Sequence, residues 1–413
     1  MEMVDHSSSS SSSSSQILSI PVDLVMDILK RLSVRDVLRS RPVCKEWNSL
    51  LRTPKFISLH YNRSLQMRQE NPASFVYLRT IPSRPPFQGR PRRTFDARPR
   101  WESITLTFFS LEKTTTKLVA KVDKEEDILA MLSSLLFPSC SCSCPTLSDM
   151  YIEMVCPLDG LVCFLCGCTK HIIMYNPATR ESQVLPSHPN FFVGRTLGAW
   201  FESNMEQQYK VFRLITDDDD HWYKITIYDS TLNSWRVSRI MFGQVISEYV
   251  LLLNGVLHFQ ISDGTGKEMI VTFDARLETF GHFEFPSSHN MGINFILLNF
   301  NGNLAYMNSY FKMEANYYDD LWVMTEYGVE QSWTKKTLGP FDFSGYCMKN
   351  GFGTPLAFWK NKNEQDELLI LARKYTLSFN LDTMERTDLN LSLVAHGNSI
   401  IIPYNVETLL SLK

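Results

Sequence analysis

Cysteine is the residue type in this 413-residue chain best suited to chemistry by its clustering. Cys140, Cys142 and Cys144 alternate with serine, and Cys163, Cys166 and Cys168 form a second group; Cys44, Cys156 and Cys347 complete the set of nine. Thiolates so close together suggest zinc, but a structural zinc site takes two ligand pairs, each held at a spacing of two to four residues by a turn. The first cluster sits in a low-complexity run, PSCSCSCP, and the second sits on the apolar run from Leu161 to Cys166. In such a run cysteine behaves as a small strand hydrophobe. Free thiols and no metal are therefore expected, and an odd count in a long chain fits a reducing compartment. Asp217 to Asp220, followed by His221, offers oxygen ligands. Four consecutive acids lack the alternation and glycine of a calcium loop, so an exposed hairpin tip is expected. The nine histidines, among them His171, His258, His282 and His396, show no HExxH or triad context, and no GxSxG or GxxxxGK[ST] occurs. No residue gains a catalytic role by motif, and no cofactor is expected.

The elements that carry these residues follow from composition and pattern. Basic and acidic side chains nearly balance, 41 against 44, so no global field points to nucleic acid or an anionic membrane. An apolar fraction of 44% excludes wholesale disorder. No apolar run of about 18 residues is present, and the start has no secretory pattern, which together imply an intracellular home, nuclear or cytoplasmic. Residues 1–16, with serine from Ser7 to Ser15, read as a disordered leader. Over 17–60 the spacing becomes helical. Leu24, Val25, Ile28, Leu29 and Leu32 are expected on one helix face, entered at Pro21. Ser33 with Asp36 resembles a capping box for a second helix. Pro42 separates a third helix carrying Val43, Trp47, Leu50 and Leu51, which Pro54 closes. Three short helices in about forty residues make a marginal core, so the packet reads as a docking module completed by a partner surface. An ordinary helical cap on the next domain is the alternative.

This packet closely resembles an F-box. The family pattern is met by Ile20-Pro21, Asp23-Leu24, Ile28-Leu29, Arg31-Leu32, Arg41, Val43-Cys44-Lys45, Trp47, Leu50-Leu51 and Pro54-Lys55-Phe56. Ser33 stands where the family often has proline, and Pro42 where it has a small or apolar residue; both lie at helix boundaries. The resemblance implies binding to the Skp-type adaptor of an SCF (Skp–cullin–F-box) ubiquitin ligase through Ile20, Pro21, Leu24, Ile28, Leu32, Val43, Cys44 and Trp47.

Residues 61–103 are rich in proline and arginine, with Arg84, Arg90, Arg92, Arg93, Arg98 and Arg100, and read as a linker or long surface loop. Localisation or partner binding is the other reading. Beyond them a strand–turn–strand unit recurs at 172–186, 225–237, 270–286, 321–336 and 375–391. Its turn-leading residues Tyr175, Tyr228, Phe273, Thr325 and Phe379 are separated by 53, 45, 52 and 54 residues. A period near fifty built of strands points to radial β repeats, since one meander cannot bury its own faces. Asp159-Gly160, Asn254-Gly255 and Asn301-Gly302, each between apolar residues, predict type I′ hairpins. A less regular sixth unit is read at Ile104–Val122. Trp200, Trp222, Trp235, Trp322, Trp333 and Trp359 are expected mostly in the cores of these units.

The stretches CPLDGLVCF, IIMYNPATRESQVLP, YDSTLNSWR, LLNGVLHF, VTFDARLETF and DLWVMTEYGVEQSW look like the F-box-associated, kelch-like domain of plant F-box proteins. The expected architecture is multidomain: a small all-α, three-helix F-box, then a mainly-β, β-propeller-like repeat domain over 104–413, clearest over 150–392. The resemblance implies a non-catalytic substrate receptor that contacts the adaptor and, through it, cullin, and holds an unidentified protein target. Nucleic acid and membrane are not expected partners. The rival readings are an adaptor-bound scaffold whose partner is not degraded, and a propeller glycan binder or enzyme.

Overall fold

The computed structural model describes residues 20–68, 74–82, 101–113, 118–136, 152–158, 160–166, 171–187, 194–201, 208–216, 222–242, 244–245, 250–262, 265–286, 294–312, 316–341, 354–360, 365–372, 375–389, 401–403 and 407–412. The serine leader, the cluster Cys140 to Cys144, Cys168, the acidic run Asp217 to Asp220 and the six arginines of 84–100 lie outside the described residues.

Four helices open the chain: α1 (Val22–Leu29), α2 (Val34–Ser40), α3 (Lys45–Leu50) and α4 (Pro54–Arg68). The Pro21 carbonyl accepts from the Leu24 and Val25 amides at 3.0 and 3.1 Å and starts α1. Ser33 caps α2: its Oγ accepts from the Asp36 amide at 3.2 Å and donates to the Asp36 carboxylate at 2.8 Å. The Cys44 Sγ accepts from the Trp47 amide at 3.4 Å at the start of α3. Pro54 follows the end of α3 and is itself the first residue of α4, where a missing N–H costs nothing. Thr53 Oγ1 accepts from the Phe56 amide there, at 3.3 Å.

The strands form six antiparallel sheets among the described residues. Blade 2 runs β4 (Ile152–Leu158), β5 (Leu161–Cys166), β6 (Ile172–Asn176), β7 (Glu181–Val184). Blade 3 runs β8 (Gly194–Phe201), β9 (Tyr209–Thr216), β10 (Trp222–Asp229), β11 (Ser234–Phe242). In blade 4 two short pieces, β12 (Gln244–Val245) and β13 (Leu251–Leu253), pair with one edge of β14 (Val256–Ser262), followed by β15 (Glu268–Asp274) and β16 (Thr279–Glu284). Blade 5 is β17 (Asn294–Phe300), β18 (Asn303–Lys312), β19 (Asn316–Met324) and β20 (Trp333–Phe341). Blade 6 is β21 (Thr354–Lys360), β22 (Asp366–Ala372), β23 (Tyr375–Asn380) and β24 (Arg386–Asp388). Blade 1 joins both ends of the domain: β1 (Ser74–Pro82), β2 (Trp101–Lys113) and β3 (Leu118–Asp127) continue outward from β25 (Ile401–Pro403). First strands of neighbouring blades adjoin, β25 touching both β21 and β4, so the ring is closed by the chain's late strand.

The sixth unit at Ile104–Val122 is the outer hairpin of blade 1. Within the segment read as linker, α4 continues to Arg68 and 74–82 is β1. The arginine-rich stretch therefore joins two paired strands of one blade rather than two domains, because β1 and β2 pair from Ser74↔Ser110 to Pro82↔Trp101.

The turns explain the repeat. Asn254 and Asn301 take φ of 51°, followed by Gly255 at 79° and Gly302 at 88°, the two positive angles of a type I′ turn. In the outer hairpins, Asn176, Asp229, Asp274 and Asn380 each lead a turn with the side-chain Oδ1 accepting backbone amides two or three residues ahead, at 2.7–3.3 Å. Four residues after each leader, Arg180, Asn233, Glu278 and Met384 have positive φ. Apolar cores lie between successive blades: Phe164 and Ile173 of blade 2 against Ile104 and Leu106 of blade 1, Phe212 and Ile227 of blade 3 against Phe259 and Phe273 of blade 4. Trp322 and Trp333 are buried between blades 4 and 5, and the half-buried Trp235 donates to the Pro186 carbonyl at 2.7 Å. The side chains of Trp200, Trp222 and Trp359 lie outside the description.

Blades 3 and 4 are also tied by charge. Glu278 accepts from Lys210 at 3.0 Å and from Arg236 Nη1 at 2.7 Å, with a second Arg236 contact through Nη2. The Arg236 guanidinium, helped by Lys210, holds the Glu278 carboxyl at about 2, below its ordinary 4.5. A depressed carboxyl pKa contributes stability that is present above the unfolded value and lost as pH falls toward the folded one. Glu278→Gln should therefore lower unfolding stability by about 1 kcal/mol at neutral pH, given the partial exposure of the cluster. Urea midpoints should show the gap to wild type narrowing between pH 4.5 and 2; a gap independent of pH would contradict this role.

Candidate docking site on the helical domain

The helices α1 to α3 place apolar side chains on two sides. Val25, Met26 and Leu29 of α1 turn inward and join Val34, Val37, Leu51 and Phe56 in one core. Leu24 and Ile28, one turn apart, turn outward and are 56% and 57% exposed; Ile20 and Val22 are each 60% exposed and Val43 is 64% exposed. Five of the eleven exposed large apolar residues among the described ones thus fall within residues 20–43. An internal core and an external apolar face on one small helix are what a docking module needs. If each of the five outward side chains gains about 1–2 kcal/mol on burial, the face offers roughly 5–10 kcal/mol before the costs of association.

The single apolar face expected from Leu24 to Leu32 is divided. Leu24 and Ile28 belong to the exposed stripe, Val25 and Leu29 to the core, and Leu32 packs partly buried against that core. Of the eight docking residues named from sequence, Ile20, Pro21, Leu24, Ile28 and Val43 are exposed. Cys44 is half-buried and caps α3, while Trp47 lies against the core; these two hold the helices in place. Val22 is an exposed member that the periodicity missed. Its signal is that α1 is apolar at Val22, Leu24, Val25, Met26, Ile28 and Leu29, more positions than one face can hold. Around the stripe, Asp27 pairs with Lys30 at 2.7 Å and Arg31 at 2.8 Å.

The cysteine spacing resolves differently from a metal site. Cys163 and Cys166 lie on opposite faces of β5, one in the core toward blade 3 and the other in the core toward blade 1. Two such thiols cannot reach one ion, and no metal-holding group of His, Cys, Asp or Glu occurs among the described residues. His258 is buried between Phe283 and Tyr327 and contacts the Tyr327 hydroxyl at 2.9 Å; burial pulls its pKa down to about 4, so it packs as a neutral ring.

The helical domain sits at one end of the propeller. Ala178, in the outer turn of blade 2, packs against its core, and Tyr61 of α4 enters the core between blades 2 and 3. In an antiparallel meander the turns between strands one and two and between three and four share an end, and the other connections emerge at the opposite end. No described helix is long and apolar enough to cross a membrane.

Comparisons with known proteins agree with this division. An "F-box domain" model matches residues 17–59, and an "F-box associated beta propeller domain" model matches residues 103–380, well over half the chain. Among curated relatives from Arabidopsis thaliana, F-box/kelch-repeat protein At4g19930 is 26% identical over 77% of this chain and 69% of its own length. F-box protein At5g18160 is 26% identical over 71% of this chain and 65% of its own, and F-box protein At5g65850 is 24% identical over 80% and 73%. This chain thus spans about two thirds to three quarters of the length of those relatives.

Proposed function

The chain belongs to the F-box proteins that carry an F-box-associated beta propeller domain, and we propose that it is the substrate-recognition subunit of an SCF-type ubiquitin ligase. The observation that carries this reading is the exposed apolar stripe of Ile20, Val22, Leu24, Ile28 and Val43 on a folded helical packet. In this reading the stripe, with Pro21, binds the Skp-type adaptor, which links to cullin. Leu32, Cys44 and Trp47 act beneath the stripe by fixing its shape.

The propeller holds the protein target at the end away from the F-box. That arrangement leaves the adaptor contact free while the target is bound. The receptor then raises the local concentration of target beside the ubiquitin-loaded enzyme and makes or breaks no bond itself. Nuclear or cytoplasmic residence fits this role.

Proximity labelling with the full-length chain as bait tests it, with target half-life as the second readout. A captured target should live longer when Leu24 is replaced by aspartate. An unchanged half-life, despite loss of the adaptor, would make the chain a scaffold instead of a degradation receptor.

A further inference from the structure

Segment 407–412 runs between the two domains and contributes to both. Leu409, 2% exposed, completes the F-box core beside Val25, Leu29 and Phe56. Leu410 and Leu412 enter the core between blades 2 and 3, alongside Tyr61 and Met174. Leu409 and Leu410, neighbours in the chain, thus serve different cores. Just before this segment, β25 supplies the inner strand that closes the propeller ring.

One propeller residue fixes the segment. Asn176 is fully buried, and its Nδ2 donates to the Thr408 carbonyl at 3.0 Å and the Leu410 carbonyl at 2.8 Å. Glu181, five residues on, accepts from the Leu412 amide at 3.0 Å. Asn176 is also a turn leader, and its Oδ1 accepts from the Ala178 and Thr179 amides. Blades 3 and 4 perform that turn task with aspartate, Asp229 and Asp274. The turn needs only the oxygen. In blade 2 the amide nitrogen has the separate task of holding segment 407–412.

We propose that Asn176 and segment 407–412 form a clasp that completes the F-box core and fixes it on blade 2, making the adaptor-binding face dependent on the closed propeller. The adaptor part rests on the function proposed above; the clasp itself does not. Aspartate at 176 keeps the turn but sets a carboxylate against two buried carbonyl oxygens, which removes both donors and adds repulsion.

The test uses the full-length chain with Asn176→Asp and Leu409→Asp, and Asn380→Asp as control. Asn380 leads the equivalent turn in blade 6, where its amide donates to the Gln365 side chain at 3.3 Å and, among the described residues, not to segment 407–412. Hydrogen-exchange protection in α1 to α3 should fall at least tenfold in the first two variants, with blades 4 and 5 unchanged and adaptor affinity reduced at least fivefold. Asn380→Asp should alter neither. Unchanged F-box protection in both Asn176→Asp and Leu409→Asp would overturn the clasp, as would a uniform loss across all blades in Asn176→Asp. Loss of F-box protection in a chain whose wild type binds no adaptor would uphold the clasp and refute the adaptor assignment.

Discussion

Replacing Leu24 and Ile28 together with aspartate should weaken adaptor binding at least a hundredfold and leave the fold intact. Both side chains point outward at more than half exposure, so neither contributes to the F-box core, and each lies on the stripe with Ile20, Val22 and Val43. Buried interface anchors commonly cost about 2 kcal/mol or more when removed, and two carboxylates add desolvation that an apolar partner surface cannot repay. A hundredfold change corresponds to about 2.7 kcal/mol, within reach of these two positions. The contrast is Leu29→Ala. Leu29 is 3% exposed in the core, so its truncation should cost about 2–5 kcal/mol of stability and weaken binding only by unfolding the packet. Titration calorimetry with thermal melts separates the two: affinity lost at constant melting temperature for the double variant, both lost for Leu29→Ala. Unchanged affinity in the double variant would place the docking surface elsewhere.

Tyr306→Ala should destabilise the propeller by about 3–5 kcal/mol. Tyr306 is fully buried between blades 4 and 5, with ring centroids 5.1 Å from Phe295, 5.2 Å from Phe285 and Trp333, and 6.0 Å from Trp322. Burial raises its pKa strongly, so it remains a neutral phenol among aromatic neighbours. Removing the ring loses its own transfer energy and leaves a cavity that four large rings cannot readily fill. Guanidinium unfolding followed by tryptophan fluorescence should register the loss, since Trp322 and Trp333 line the site. A change below about 1 kcal/mol would mean that the two blades do not pack through this cluster.

What the sequence revealed depended on how local each determinant was. Asn254-Gly255 and Asn301-Gly302 declare their hairpins in two residues, and the Asx leaders Asn176, Asp229, Asp274 and Asn380 set turns within five. Blade 1 escaped a clear reading because its inner strand, at 401–403, lies more than three hundred residues from its neighbour β1, and strand pairing over that distance leaves no periodic trace. The exposed apolar stripe was legible in residue type through Leu24 and Ile28. Its separation from Val25 and Leu29 was not, because α1 is apolar around most of its circumference and only tertiary packing selects the inward half. Leu409 was missed for a related reason. It belongs to a short segment with no repeat, and its task is defined by two cores brought together from elsewhere in the chain.

The most direct test of the bridging role is the mass of the purified full-length chain mixed with a Skp-type adaptor, measured by light scattering on a size-exclusion column. A single peak at the mass of one chain plus one adaptor is expected, reverting to two separate peaks for the Leu24→Asp/Ile28→Asp variant. Separate elution of folded wild-type chain and adaptor at micromolar concentration would contradict the assignment.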